Sequence, residues 1–237
     1  FRHDIYSDYK ANRDAPPEDL AKQFPYFEPL VDAFNISSIR IPGYEADDVL
    51  GTVAKWATEN RVDTLIATGD TDTLQLVSPY VRILLTTGFG DTRIYDVDAV
   101  RERYGGLEPV QQRDVKALTG DTSDNIPGVP GIGLKTAVKL ILEFGSVEAL
   151  LDSLDDVGPP RIQGLIREHV EQLQASKYLV TIDTNAPTDF DMPSALFGQF
   201  IRDEILEVFQ ERGPSTHLAE RVTVFATKTL RNKRGLI

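Results

Sequence analysis

Seven carboxylates fall in three short clusters: Glu45, Asp47 and Asp48 in Tyr-Glu-Ala-Asp-Asp, Asp70 and Asp72 in Thr-Gly-Asp-Thr-Asp, and Asp121 and Asp124 in Thr-Gly-Asp-Thr-Ser-Asp-Asn. Brought together by a fold, such clusters repel one another. A chain tolerates that mainly where divalent cations neutralise the charge. Hard oxygen donors with no Cys or His nearby suit Mg²⁺ or Mn²⁺ rather than zinc. The chemistry this favours is metal-dependent reaction at a phosphate ester.

Each cluster also has a purely structural reading. Acids in a first helical turn complement the helix dipole, which covers part of Glu45, Asp47 and Asp48. Glu45 and Asp48, three apart, share a helix face, whereas Asp47 diverges toward a different ion or a water. Asp70 and Asp72 after Gly69 also fit a turn followed by an N-cap. Asp121 and Asp124 lie in a loop rich in Asx-turn formers. Their conjunction in one chain is what points to a site.

The elements that must position these acids follow from periodicity. Asp4–Arg13 reads as a helix that Pro16-Pro17 breaks, and Glu18–Phe34 as a second helix, kinked or broken at Pro25 and Pro29. Ile36–Ile41 alternates as a strand, and Tyr44–Asn60 is a helix with Val49, Val53, Ala54 and Ala57 inward. Thr64–Thr68 reads as a buried strand running into Gly69-Asp70. A short helix at Thr73–Val77 and strands at Val81–Leu85 and Thr92–Tyr95 follow, with a turn at Phe89-Gly90-Asp91. This alternation predicts an α/β unit with a largely parallel sheet, whose ligands gather at the strands' carboxyl ends. Glu45 and Asp70 both follow predicted strands.

After Asp96 the pattern becomes helical. Helices are expected at Val97–Tyr104, Pro109–Leu118, Gly133–Phe144, Val147–Leu151, Pro160–Leu179 and Phe197–Gln210. Thr181–Phe190 reads as a connector and Val222–Ala226 as a strand. Two domains are therefore expected, 1–96 (with a helical segment at 1–34) and 97–237.

Gly128-Val-Pro-Gly131-Ile-Gly133-Leu134-Lys135-Thr136 nearly spells a nucleotide-binding loop. Leu134 intrudes before Lys135-Thr136, however, and no strand precedes. The better reading is a helix–hairpin–helix, in which backbone N–H groups and a helix N-terminus hold a nucleic-acid phosphate. Lys135 and Lys139, four apart, support the same strand.

The chain has 237 residues, 41% hydrophobic and 26% charged, ordinary values for a globular protein. No apolar run approaches the roughly 18–20 residues needed to cross a bilayer. The absence of cysteine excludes disulfides and thiolate metal sites and fits a reducing cytoplasm. A net charge of −12 argues at first against nucleic acid. The clustered acids account for over half of the excess, while Arg2, Lys10 and Arg13 concentrate near the start and Lys228, Arg231, Lys233 and Arg234 near the end.

Tyr-Glu-Ala-Asp-Asp, Gly-Asp-Thr-Asp and the run from Leu118 to Ala137 resemble the 5′-nuclease family: the 5′→3′ exonuclease domain of bacterial DNA polymerase I, stand-alone exonucleases and flap endonucleases. The opening Phe-Arg-His-Asp-Ile-Tyr-Ser-Asp-Tyr-Lys-Ala-Asn-Arg is similar to its helical gateway. The resemblance implies a resolvase-like (PIN-like) α/β domain with a mostly parallel sheet, followed by a helical, SAM-fold-like subdomain with a helix–hairpin–helix.

It implies metal ligands at Glu45, Asp47, Asp48, Asp70, Asp72, Asp121 and Asp124 for two Mg²⁺ or Mn²⁺ ions, and phosphate-steering roles for Arg2, Lys10 and Arg13. Tyr9 is expected to stack on a base near the 5′ end, with ordinary helix packing as the equal alternative. The loop with Gly128, Gly131 and Gly133, followed by Lys135, Thr136 and Lys139, is expected to grip duplex DNA, with K⁺ on its carbonyls. The family's pattern begins with two strands bearing aspartates that this chain lacks, so an N-terminally incomplete sheet is expected. Two-metal hydrolysis at or near a 5′ end is the expected reaction; a DNA-binding module that does not cleave is the alternative. Expected partners are DNA 5′ flaps, nicks and ends, and RNA primers, for a cytoplasmic, nucleoid-associated monomer outside any membrane.

Overall fold

The computed structural model describes residues 2–87 and 91–196, together with 205, 207 and 208. Most of the helix expected at Phe197–Gln210, the strand expected at Val222–Ala226 and most of the turn at Phe89-Gly90-Asp91 lie outside them. The chain forms two compact units: one of Phe1–Arg13 with Ile41–Thr188, the other of Asp14–Arg40 with Asp189–Ile237.

The first unit begins with α1 (Arg2–Ile5), and residues 7–12 follow as turns. The expected helix Asp4–Arg13 is thus mostly absent: α1 ends at Ile5, and Lys10, at φ +55°, takes a left-handed conformation incompatible with a helix through the turns that follow. In the second unit, the expected helix Glu18–Phe34 is two, α2 (Glu18–Ala21) and α3 (Phe24–Ala33). Pro25 opens α3, where a proline fits, and Pro29 lies inside it. Ile36–Ile41 forms no strand; its alternation is real, but the described residues offer it no ladder partner.

Back in the first unit, α4 (Ala46–Glu59) buries Asp48, Gly51, Ala54 and Ala57. Strand β1 (Thr64–Thr68) leads into a 3₁₀ turn, Thr71–Leu76, and then come β2 (Val81–Thr87) and β3 (Asp91–Tyr95). The sheet order is β1-β2-β3. β1 pairs with β2 in parallel, Ile66 opposite Ile83, and β2 with β3 antiparallel, Ile83 opposite Tyr95. The link between β2 and β3 is too short for a parallel crossover. Ile66, Ile83, Leu85 and Tyr95 face a buried core with Ala54, Leu74 and Val100. Leu65 and Ala67 alternate to the other side and are exposed, so β1 is half buried rather than buried throughout.

The helices follow as expected: α5 (Val97–Arg103), α6 (Gln112–Thr119), α7 (Leu134–Phe144) and α8 (Val147–Asp152). The stretch predicted as Pro160–Leu179 divides at His169 into α9 (Pro160–Glu168) and α10 (Val170–Val180). They enclose a second core built on Leu118, Ile141, Leu150, Ile166 and Leu173, into which Tyr9 is inserted. The buried pair Lys177–Asp114 ties α10 to α6, and Asp114 also accepts the Val147 N–H that opens α8 (2.8 Å).

α6 and α7 are joined by the acidic loop and then the glycine hairpin. Asp121 and Ile126 exchange backbone hydrogen bonds of 2.9 and 2.8 Å, and Val129 N–H donates to Leu118 O at 2.8 Å. This folds Gly128 directly onto the end of α6. A Cβ at Gly128 would lie 2.2 Å from the Thr119 carbonyl carbon and 2.3 Å from Gly120 N, both backbone and unable to give way. At Gly133 a Cβ would meet nothing within 4 Å. Gly128→Ala should therefore destabilise the protein by about 3 kcal/mol or more, and Gly133→Ala by less than about 1 kcal/mol. Urea unfolding of the two variants checks this.

Candidate active site

Glu45 caps α4 in an extended conformation, and Asp47 and Asp48 occupy its first turn. Asp70 ends β1 and caps the 3₁₀ turn, accepting the Asp72 N–H at 2.8 Å. Thr68 Oγ accepts the Asp70 N–H (3.0 Å), and Thr73 Oγ donates to the Asp70 carbonyl (2.7 Å). Asp121 closes an Asx turn by accepting from Ser123 N (2.8 Å) and Ser123 Oγ (2.6 Å). The structural reading of each cluster is thus correct in part, yet the clusters also meet.

They meet through cations. Lys116 Nζ lies between Asp72, which it contacts, and Asp121 Oδ2 at 2.7 Å. Lys10 Nζ lies between Glu45 Oε2 at 2.6 Å and Asp124 Oδ2 at 3.6 Å. Arg13, half exposed, contacts Asp124. Asp47 and Asp70 feel one another directly. Burial, then Asp70 and Glu45, raise the Asp47 carboxyl above its ordinary value. Burial pushes Asp72 up to about 6 against the pull of Lys116, with Asp70 and Asp121 adding to the rise. At Asp121 burial works the same way, but the hydrogen bonds of Lys116 and Ser123 outweigh it and hold the carboxyl low.

Three predicted roles need correction. Arg2 is buried, 4% exposed, and forms a two-pronged pair with Asp48 at 2.8 and 2.7 Å. It cannot reach a phosphate. Asp48 is fully buried, and burial's upward push on its carboxyl is outweighed by Arg2 and by the backbone N–H groups of Asp183 and Glu45. Its oxygens are committed to those donors and not to an ion. Tyr9, 2% exposed, donates to Glu45 (3.2 Å) or Asp124 (3.3 Å), with Lys10 Nζ 4.7 Å from its ring centre. Its ring is packed in the core, where no base can stack on it.

The hairpin residues stand where they were expected. Gly131 takes φ +86°, and Gly133 caps α7, where its carbonyl accepts from Thr136 and Ala137 N–H at 3.0 Å. Val129 and Ile132 anchor the loop in the core, while Lys135 and Lys139 are exposed on α7 and Thr136 is half-buried. Gln172 Nε2 donates to the Gly128 carbonyl at 2.6 Å, fixing the loop from α10.

Sequence reasoning missed Lys116. Its one signal is a lysine in the last turn of the helix that leads into the Asp121 loop. It also missed Gln112, 1% exposed, whose Nε2 lies 3.4 Å from the Thr71 carbonyl between Asp70 and Asp72.

Two family profiles cover this arrangement: a 5′-3′ exonuclease N-terminal resolvase-like domain over residues 1–105 and a 5′-3′ exonuclease C-terminal SAM fold over 107–202. The chain belongs to the 5′-3′ exonuclease family. DNA polymerase I of Chloroflexus aurantiacus is 46% identical over 227 residues, 94% of this chain and 24% of the relative. DNA polymerase I of Bacillus subtilis is 40% identical over 223 residues, 94% of this chain and 25% of the relative. The chain thus spans about a quarter of the length of these curated relatives.

Among solved structures, the T5 D15 protein co-crystallised with metal ions matches with TM-score 0.66 and 26% identity, over 96% of this chain and 80% of that one. The catalytic core of Rad2 in complex with DNA substrate matches with TM-score 0.58 and 17% identity, over 95% of this chain and 73% of that one, a likeness of fold alone. The resolvase-like plus SAM-fold architecture expected of a 5′-3′ exonuclease is therefore the one present.

The raised carboxyl of Asp72 has a sign that can be tested without metal. A folded-state value near 6 against an ordinary one near 3.9 means that the folded chain holds this proton more tightly than the unfolded chain. Stability from this group is full below about pH 4 and is lost as pH rises to about 6 and beyond. In EDTA, Asp72→Asn should raise stability by about 1–3 kcal/mol at pH 8 and leave it unchanged near pH 4. Calorimetric melting of both proteins at the two pH values checks this.

Proposed function

We propose that this chain is a metal-dependent 5′-nuclease unit that hydrolyses DNA phosphodiesters at or near 5′ ends, with 5′ flaps and nicks as substrates. The observation that carries the reading is the meeting of six acids from three separate segments. Glu45 and Asp124 are drawn together by Lys10, Asp72 and Asp121 by Lys116, and the charge of Asp70 helps to raise the Asp47 carboxyl. A purely structural acidic surface would spread such charges apart.

The residues suit hard divalent cations. All donors are carboxylate oxygens, and Asp47 and Asp72 are held above their ordinary values by burial and like charge, a state that a cation relieves. Among the described residues no group of three acids converges closely enough to hold an ion as it stands. Asp70, Asp72, Asp47 and Asp121, with Glu45 and Asp124 behind them, are the residues that would hold Mg²⁺ or Mn²⁺, two ions in this reading. When bound, these ions supply Lewis acidity to the phosphodiester and to the attacking water.

The chain's own residues do the rest. Lys10, Lys116 and Arg13 lie at the acids' edge, where they hold a phosphate against the carboxylates and offset charge as it develops. The hairpin from Gly128 to Gly133 offers backbone groups to a duplex phosphate, and Lys135, Thr136 and Lys139 extend that contact along one face of α7. K⁺ at the hairpin carbonyls, RNA primers as further substrates, a monomer and a nucleoid setting belong to the same proposal. So does a functional division near Asp96, with chemistry before it and duplex binding after it.

Asp70→Asn should abolish Mg²⁺-dependent cleavage of a 5′-flap duplex while leaving duplex binding intact. Full retained cleavage would sink the reading. Duplex binding with no cleavage by the unaltered chain would assign it to the alternative, a nuclease-derived DNA-binding module. Lys135→Ala should weaken duplex binding and lower the salt slope by about one ion, measured by fluorescence anisotropy across a salt series. An unchanged slope rules out a phosphate contact at Lys135.

A further inference from the structure

The end of α10 and the segment that follows it are held by polar side chains from the elements that carry the acids, at every residue from Leu179 to Asp183. Arg2 Nε donates to the Leu179 carbonyl at 3.1 Å, and Arg2 Nη2 to the Thr181 carbonyl at 3.0 Å. Gln75, 8% exposed, uses both ends of its amide. Its Nε2 donates to the Val180 carbonyl at 3.1 Å, and its Oε1 accepts the Ile182 N–H at 3.1 Å. Asp48 Oδ1 accepts the Asp183 N–H at 2.9 Å. Further along, Thr52 Oγ accepts the Ala186 N–H at 3.0 Å, and Lys55 Nζ reaches Asn185 Oδ1 at 2.7 Å.

Asp48 is saturated by this arrangement. Oδ1 accepts from Arg2 Nη2 (2.7 Å) and Asp183 N (2.9 Å), and Oδ2 from Arg2 Nη1 (2.8 Å) and Glu45 N (3.0 Å). A carboxylate has about four lone-pair sites, and all are used. Gly51, one turn along α4, completes the fit. A Cβ there would lie 2.6 Å from Ile182 Cγ2 and 3.3 Å from the Asp183 carbonyl oxygen. Glycine inside a helix costs about 1 kcal/mol relative to alanine, and here it lets the segment lie directly on the helix.

The geometry points to Leu179–Asp183 as a strap through which Asp48, Arg2 and Gln75 act as positioning residues for the acids beside them. Asp48 is next to Asp47 and three residues from Glu45, whose own N–H it binds. Gln75 lies three residues after Asp72, on the same 3₁₀ turn. Pinned to one strap, the start of α4 and the turn after β1 keep a fixed separation despite the repulsion between Asp47 and Asp70. What is positioned rests on the proposed metal-dependent reading; how it is held rests on the hydrogen bonds alone.

The test uses the full chain and two measurements: Mn²⁺ bound per protein, counted by electron paramagnetic resonance, and the melting temperature in EDTA. Asp48→Asn and Gln75→Leu should keep the number of ions bound by the unaltered chain. They should weaken Mn²⁺ binding by about 10-fold or more and lower the EDTA melting temperature by about 5 °C or more. Gly51→Ala, which touches no carboxylate and no hydrogen bond, should shift both in the same direction by less.

Asp70→Asn should instead reduce the ion count without lowering the melting temperature. Loss of an ion by Asp48→Asn at unchanged melting temperature would make Asp48 a ligand and overturn the proposal. Unchanged Mn²⁺ affinity in Gln75→Leu despite a lower melting temperature would overturn it too, by reducing the strap to a stabilising contact. If the unaltered chain binds no Mn²⁺, the nuclease reading fails, and with it the positioning role; the EDTA melting temperatures then decide only whether the strap holds the two elements.

Discussion

Repulsion among carboxylates is the constraint on which the rest of this structure depends. Apolar packing cannot hold like charges together, because burial raises the energy of each one. The chain solves this in two ways. Each acid is carried by the end of a regular element or a tight turn, where backbone N–H groups point outward: Glu45 and Asp48 at the start of α4, Asp70 at the end of β1, and Asp121 in an Asx turn. Cations then offset them: Arg2 lies against Asp48 and Glu45 of one cluster, whereas Lys10 bridges Glu45 to Asp124 and Lys116 bridges Asp72 to Asp121, from different segments. The two half-buried carboxyls that remain raised, Asp47 and Asp72, are those for which this compensation is incomplete.

The acidic loop and the hairpin form one mechanical piece. Gly120, at φ +76°, ends α6, and Gly128 lies against it with no space for a side chain on either. Between them stand Asp121 and Asp124; directly after them comes the turn that offers its backbone outward. Gln172 and Ser176 of α10 hold the carbonyls of Gly128 and Pro127. The hairpin is therefore held at a fixed distance from Asp121 and Asp124. Such coupling needs glycine at both positions, because it is the close approach of two backbones, and not flexibility, that the site requires.

Much of this was legible in the sequence, and the parts that were not share a cause. The acid clusters, α4, β1 and the hairpin with α7 all follow from local pattern, since caps, period and turn residues lie within a few positions of one another. The roles of Arg2, Tyr9 and Lys116 do not. Arg2 meets Asp48 across 46 residues and the Leu179 carbonyl across 177. Neither distance leaves a trace in the local spacing. A basic residue near an acidic motif reads as a phosphate contact whether it points outward or inward, and only burial separates the two. Tyr9 fails in the same way, since a tyrosine beside Lys10 suits a stacking surface and a core equally. Ile36–Ile41 fails differently: alternation is necessary for a strand, but a strand exists only with a neighbour to pair with.

The charge balance that results argues for what the site lacks in protein groups. Once Asp48 and Arg2 cancel in the buried pair, six acids face the three cations Lys10, Arg13 and Lys116. Protonation of Asp72, whose carboxyl is pushed up to about 6, relieves only part of the remaining negative charge. Two divalent ions would exceed that remainder by one unit, which is the charge of a single phosphodiester. A site with more lysines would be stable when empty but would repel the ions; one with fewer would not hold its acids in place without them. The lysines at Lys10 and Lys116 sit between these limits. They are long point charges that hold acids from different segments together. Arginine, with its rigid fork, is placed at the buried Asp48, where nothing needs to move.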